Sequence, residues 1–329
     1  MRSPLHRRDA VLVIILAVMV AAVALRAPVF LSAASLDTLL TDGGILAMMA
    51  LVQMLALITG GIDLSIAATM ALVGMATALM SRAYPELPVV LTVASSLALG
   101  LIAGAINAVL IAGVGIPPIV VTLGTMSIYR GAVFLVSGGA WVNAHEFGRG
   151  YLEWATARSL GLTHIVWIAI AVILAGHVVL NHARTGRALY ALGGNRAAAR
   201  YVGIDESRVV LRVYCLTGAI SGLAGYLWVA RYAVAYTETA LGFELQTVAA
   251  CVIGGVSIAG GQGRVLGCIL GAAFLVIILN SLPMIDVSPF WQMAISGAAI
   301  LAAVIVNSRA EAPRGTPILP RAAAAKETA

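Results

Sequence analysis

Lys326 is the only lysine in the chain, and it lies in the C-terminal tail. A phosphate-gripping P-loop requires Gly-Lys-Ser/Thr, so the chain encodes no such nucleotide site. Gly260-Gly261-Gln262-Gly263-Arg264 is rich in glycine but carries no lysine, and reads as a tight turn between helices. Cys215, Cys251 and Cys268 have neither metal-ligand nor redox spacing, and read as small packing residues. His6, His145, His164, His177 and His182 form no cluster in sequence. No nucleophile and base stand together. What remains is a set of polar side chains inside long apolar runs: Gln53, Asn107, Thr122, Thr125, Tyr129, Arg130, Gln246, Asn280 and Gln292. Each is costly in hydrocarbon and must face protein or water. Taken singly, each reads equally well as a hydrogen bond between helices or as the wall of a pathway. Together they suggest an uncharged polar passage. Asp63, Glu244 and Asp286 fall at predicted helix ends, where capping is the plain expectation. No deep carboxylate is expected, which argues against a proton-driven carrier.

The elements that must position these residues follow from composition. The 329 residues are 61% hydrophobic and 10% charged, against about 25% charged in an average soluble domain. A water-soluble fold of this size cannot hide so much apolar surface, and a disordered chain would be rich in charge. The natural solvent is a bilayer. Charges then act as punctuation. Asp42 and Asp63 enclose 20 uncharged residues, Arg264 and Asp286 enclose 21, and Glu86 and Arg130 enclose 43, enough for two spans. The expected fold is an all-α polytopic membrane protein of about ten helices, near 10–27, 43–62, 64–81, 89–112, from 116 onward, 162–182, 210–232, 245–260, 265–282 and 289–307. Continuously apolar runs favour helices over a barrel. Residues 1–308 form one transmembrane domain, and 309–329, rich in Ala and Pro, form a tail expected to be disordered. Arg2, Arg7 and Arg8 ahead of the first span, with Ala22-Val23-Ala24 within it, also suit a signal peptide. A retained anchor is expected, because a polytopic chain needs no removable signal.

Ten spans place both termini on one side, and fourteen of the twenty Lys and Arg residues fall there. The positive-inside rule makes that side cytoplasmic, and it accounts for the net charge of +6 without nucleic acid. The basic loop 183–208 belongs to the same side. Asn195 is placed to N-cap a short helix over 196–202 that Gly203 ends, with Arg196 and Arg200 one turn apart. Such a peg suits a groove in a cytoplasmic partner; as an interfacial helix it suits lipid headgroups equally. Gly100-x-x-x-Gly104, Gly218-x-x-x-Gly222 and Gly267-x-x-x-Gly271 suit close helix packing, expected within one subunit.

This loop carries a resemblance. Tyr190-Ala-Leu-Gly-Gly-Asn195, with Ala197-Ala198 and Gly203-Ile204, resembles the cytoplasmic loop of ribose-type ABC importer permeases. Gly60-Gly61-Ile62-Asp63-Leu64-Ser65, Ile116-Pro117 with Thr122-Leu-Gly-Thr125 and Tyr129-Arg-Gly131, and Ala249-Ala-Cys-Val-Ile-Gly-Gly255 with Gly260-Gly-Gln-Gly263 are similar to that family's other motifs, in order. The likeness covers about residues 10–307. Ser137 to Glu146, Arg231 to Tyr236, Gly242 to Leu245 and Pro289 to Gly297 look closest to rhamnose permeases. Tyr129-Arg130-Gly131 and Trp141 are also similar to autoinducer-2 permeases.

The resemblance implies a transport subunit in the bacterial inner membrane, without enzymatic activity or a cofactor of its own. Two permease subunits, alike or different, would form the pathway. ATP and Mg would be used by a cytoplasmic ABC ATPase gripping Gly193, Gly194, Asn195, Arg196, Arg200, Tyr201 and Gly203. A periplasmic sugar-binding protein would dock on the outer loops near 28–42, 137–160 and 236–244. The cargo implied is a monosaccharide, rhamnose or a related deoxysugar first, with autoinducer 2 or ribose as the alternative. A secondary carrier of a neutral solute and a non-transporting scaffold are the rival classes.

Overall fold

The structure, a computed structural model, describes residues 4–285 together with positions 291, 294, 297, 298 and 301. Among the described residues, seven helices are long and apolar enough to cross a membrane: α1 (Pro4–Arg26), α2 (Ala33–Ile58), α3 (Ile66–Ala83), α4 (Val89–Ala112), α5 (Pro118–Ser137), α7 (His164–His182) and α10 (Glu206–Tyr232). Two shorter apolar helices, α11 (Phe243–Ile253) and α12 (Val265–Ser281), complete the bundle among the described residues. Three further helices, α6 (Arg149–Thr156), α8 (Arg184–Gly194) and α9 (Arg196–Tyr201), lie outside the spans. The fold is therefore all-α and polytopic. The expected tenth span at 289–307 falls largely outside the described residues, as does the tail from 309.

The core is built on α2 and α10. From Ile45 to Thr59 every residue of α2 and its C-cap is buried. α10 packs along α4 through glycine. A Cβ on Gly218 would lie 2.4 Å from the Gly100 carbonyl oxygen, and one on Gly104 would lie 2.2 Å from the Tyr214 oxygen. The same device joins α11 to α12, where a Cβ on Gly271 would lie 2.0 Å from the Ala250 oxygen. Small residues let backbones meet where lipid supplies no hydrophobic drive. All three GxxxG pairs thus pack inside the chain. Cys251 and Cys268, distant in sequence, face each other across α11 and α12 with sulfurs 3.8 Å apart.

Several boundaries differ from expectation. α2 begins ten residues early, so most of the expected outer loop at 28–42 is helix. Ser32 caps it, accepting from the Ser35 N–H, and its two aspartates are matched by cations: Asp37 by Arg158 at 2.8 Å and Asp42 by Arg231 at 3.1 Å. The eighth span stops at Ile253, because Gly255 turns into the left-handed region at φ +86°. Residues 254–260 are not helical. The loop after α5 is structured: Val142 and Asn143 (β1) pair antiparallel with Ala235 and Val234 (β4), and Arg158–Ser159 (β2) pair with Leu162–Thr163 (β3). α1 rests along α12, and an ion pair between Asp9 and Arg264 fixes its start.

Candidate functional site

The helices divide the described polar residues between two ends. At the end holding α8 and α9, the basic end, the α2–α3 link from Thr59 to Ser65 is the centre. Asp63 is only 2% exposed. Its Oδ1 accepts from the Ser65 N–H at 3.0 Å and the Ser65 hydroxyl at 2.7 Å. Asn107 of α4 donates to the same hydroxyl at 2.8 Å, while its Oδ1 is buried without a partner. Thr122 of α5 donates to the Ile62 carbonyl at 3.0 Å. Asp63 is thus a deep carboxylate, contrary to the expectation that there is none. The N-cap of α3 is Ser65, with no side-chain cap, so Asp63 ties the link rather than caps the helix. Burial pushes its carboxyl up, to about 6, against the pull of the two Ser65 hydrogen bonds.

Farther along α5, Thr125 donates to the Val121 carbonyl and Tyr129 donates across to Ala103 of α4 at 2.8 Å. Arg130 reaches the opposite end, where it donates to the carbonyls of Thr239 and Ala240. Gln53, five residues before the end of α2, is fully buried with neither amide atom paired among the described residues. Gln246 and Asn280 meet at the opposite end, on the wall of one cavity with Asp42. Gln292 and Asp286 lie outside the described residues. The polar set therefore forms a knot at the α2–α3 link, a pair at the far end, and the separate Gln53.

The loop residues assemble closely. Asn195 N-caps α9, accepting from the Ala198 N–H at 3.0 Å. Gly203, at φ +82°, ends it. Arg196 and Arg200 both grip Glu206, the first residue of α10, at 3.3 and 2.6 Å, and Arg196 also donates to the Thr59 carbonyl. Gly193 lies on the link so closely that a Cβ there would be 1.7 Å from the Ile58 oxygen. Gly194 faces open space. The glycine turn at 260–263 closes the base, with Gly261 N–H donating to Ile58 and Tyr190 donating to Gly263 at 3.0 Å. Tyr201 and Val202 point outward, 92% and 75% exposed. The result is a peg bolted to α2 and α10 with an apolar tip. Beside it opens a cavity of about 930 Å3 bounded by Gly61, Pro117, Arg196, Glu206 and Tyr214.

Sequence reasoning missed α8, although Leu189 and Leu192, three residues apart and buried, mark its inner face. It also missed Glu206 as the shared partner of the two arginines. Among the described residues no group of three His, Cys, Asp or Glu side chains is placed to hold a metal.

Residues 35–304 match the family described as branched-chain amino acid transport system / permease component. The ribose import permease protein RbsC of Escherichia coli K12 is 36% identical over 303 residues, 90% of this chain and 92% of the relative. The autoinducer 2 import system permease protein LsrC of Enterobacter sp. strain 638 is 33% identical over 282 residues, 86% and 81% of the two chains. That of Salmonella paratyphi B is 32% identical over 280 residues, 85% and 80%. No solved structure matches.

Proposed function

The chain belongs to the branched-chain amino acid transport system / permease component family, and from that premise we propose that it is the transmembrane permease subunit of an ATP-driven importer for a small neutral sugar. The observation that carries this reading is the peg. Its base is fixed to α2, α10 and the 260–263 turn, while Tyr201 and Val202 stand free to enter a partner's groove. A cytoplasmic ATPase on that tip would supply the ATP and Mg chemistry. The basic end is then cytoplasmic, and a periplasmic binding protein meets the opposite end. A second permease subunit, alike or different, completes the pathway. The names of the relatives support ribose or autoinducer 2 as cargo; the motif likeness supports rhamnose. All three are small and polyhydroxylated.

Uptake of labelled ribose and rhamnose, with autoinducer 2 as competitor, in cells lacking this chain and in cells expressing it with its ATPase and binding protein tests the assignment. The sugar whose uptake depends on the chain is the cargo. Arg200→Glu places a carboxylate against Glu206 and should cut uptake at least about tenfold while ATP hydrolysis by the complex continues. Arg200→Lys, which keeps a cation beside Glu206, should retain uptake. Uptake that ignores loss of the ATPase but collapses with the ion gradient would instead identify a secondary carrier.

A further inference from the structure

A cavity of about 280 Å3 opens among α2, α10, α11 and α12, at the end away from the peg. Its wall is aromatic on one side. Trp228 meets Phe243 edge-on with ring centroids 4.9 Å apart, and Tyr232 at 5.0 Å. The other side is polar: Asp42, Gln246 and Asn280. Asp42 is ion-paired to Arg231, so its charge is matched and the wall suits a neutral guest. The Gln246 amide makes no hydrogen bond among the described residues, and Asn280 uses its Nδ2 on the Val276 carbonyl, leaving Oδ1 free. A primary amide offers two donors and two acceptor lone pairs. Both residues are half-buried, so these groups stay open to a ligand that enters the cavity.

We propose that this cavity is a binding site for the transported solute, a neutral polyhydroxylated ring of monosaccharide size. The proposal rests on the reading of the chain as a sugar permease and gives that reading a location. The weakly polarised C–H face of a sugar packs on the Trp228 and Phe243 rings, whose faces carry negative charge density. The hydroxyls are directional donors and acceptors, and the amides of Gln246 and Asn280 answer both roles. Small-ligand pockets run from about 300 to 1,000 Å3, so this one takes a single ring and excludes a disaccharide. A site built to pair hydroxyls rejects analogues that lack them, because its own polar groups are then left unpaired.

The test is direct binding of ribose and rhamnose to the purified full-length chain in lipid nanodiscs, by saturation-transfer NMR, alongside uptake in cells. Wild-type protein should bind at least one sugar, maltose should not compete, and Gln246→Ala should weaken binding about tenfold, the loss of one good hydrogen bond, without lowering the melting temperature. Trp228→Ala should do the same; where it lowers the amount of folded protein, Trp228→Phe, which keeps a smaller ring, replaces it. Wild-type affinity in both variants overturns the site. Uptake in cells with no binding to the isolated chain overturns the site and leaves the permease reading standing. Absence of sugar uptake in the complete system overturns both.

Discussion

Asp63 shows how a single residue can carry a different role from its neighbours in sequence. Before Leu64-Ser65-Ile66 it reads as a cap, yet the folded chain buries it and, among the described residues, gives it Ser65 as its one hydrogen-bond partner. An acid lifted from its ordinary 3.8 to about 6 holds its proton more tightly folded than unfolded. Stability therefore falls as pH rises from about 4 to about 6 and levels off above. Asp63→Asn should flatten that part of the profile, which melting temperatures of the purified chain between pH 4 and 7 will show. Burial decides this behaviour, and burial at a link comes from α4, α5 and α10 closing over it. No local pattern around residue 63 announces those helices.

At the scale of elements, the peg stands on one glycine and not the other. Gly193→Ala drives a methyl into the Ile58 carbonyl and should cost about 1–3 kcal/mol or more, since backbone cannot yield as a side chain does. Gly194→Ala meets nothing within 4 Å and should leave stability within about 0.5 kcal/mol of wild type. Thermal melts of the two variants separate them. Identical glycines one position apart read alike in sequence; the contact that distinguishes them is with a residue 135 positions away. Much else at this scale was legible. The bounds of α4 follow from hydropathy, and α9 with its Asn195 cap and Gly203 stop follows from capping chemistry. What was not legible depends on pairing across the fold. The start of α2 runs through Asp37 and Asp42 because Arg158 and Arg231 wait beside them. The end of α11 comes early because Gly255 turns into the left-handed region just past the contact of Gly254 with Gly267.

At the scale of the molecule, α7 separates two exposed markers. Leu160, before its N-terminus, is 91% exposed, and Tyr201, beyond its C-terminus, is 92% exposed. Nineteen residues span about 28 Å, close to the hydrocarbon thickness of about 30 Å. In a background with the three native cysteines replaced, Leu160→Cys should react with a membrane-impermeant maleimide on intact cells. Tyr201→Cys should react only after lysis. The reverse pattern would invert the proposed orientation.

α2 joins the two ends directly. Ile58 and Thr59 meet the base of the peg, and Asp42 lies sixteen residues back from Ile58 along the same helix, about 24 Å away. A helix buried on all sides for most of that length cannot bend aside, so it can only slide or turn. If the proposed partner moves the peg, α2 is the connecting rod that would carry the stroke to the cavity at its far end.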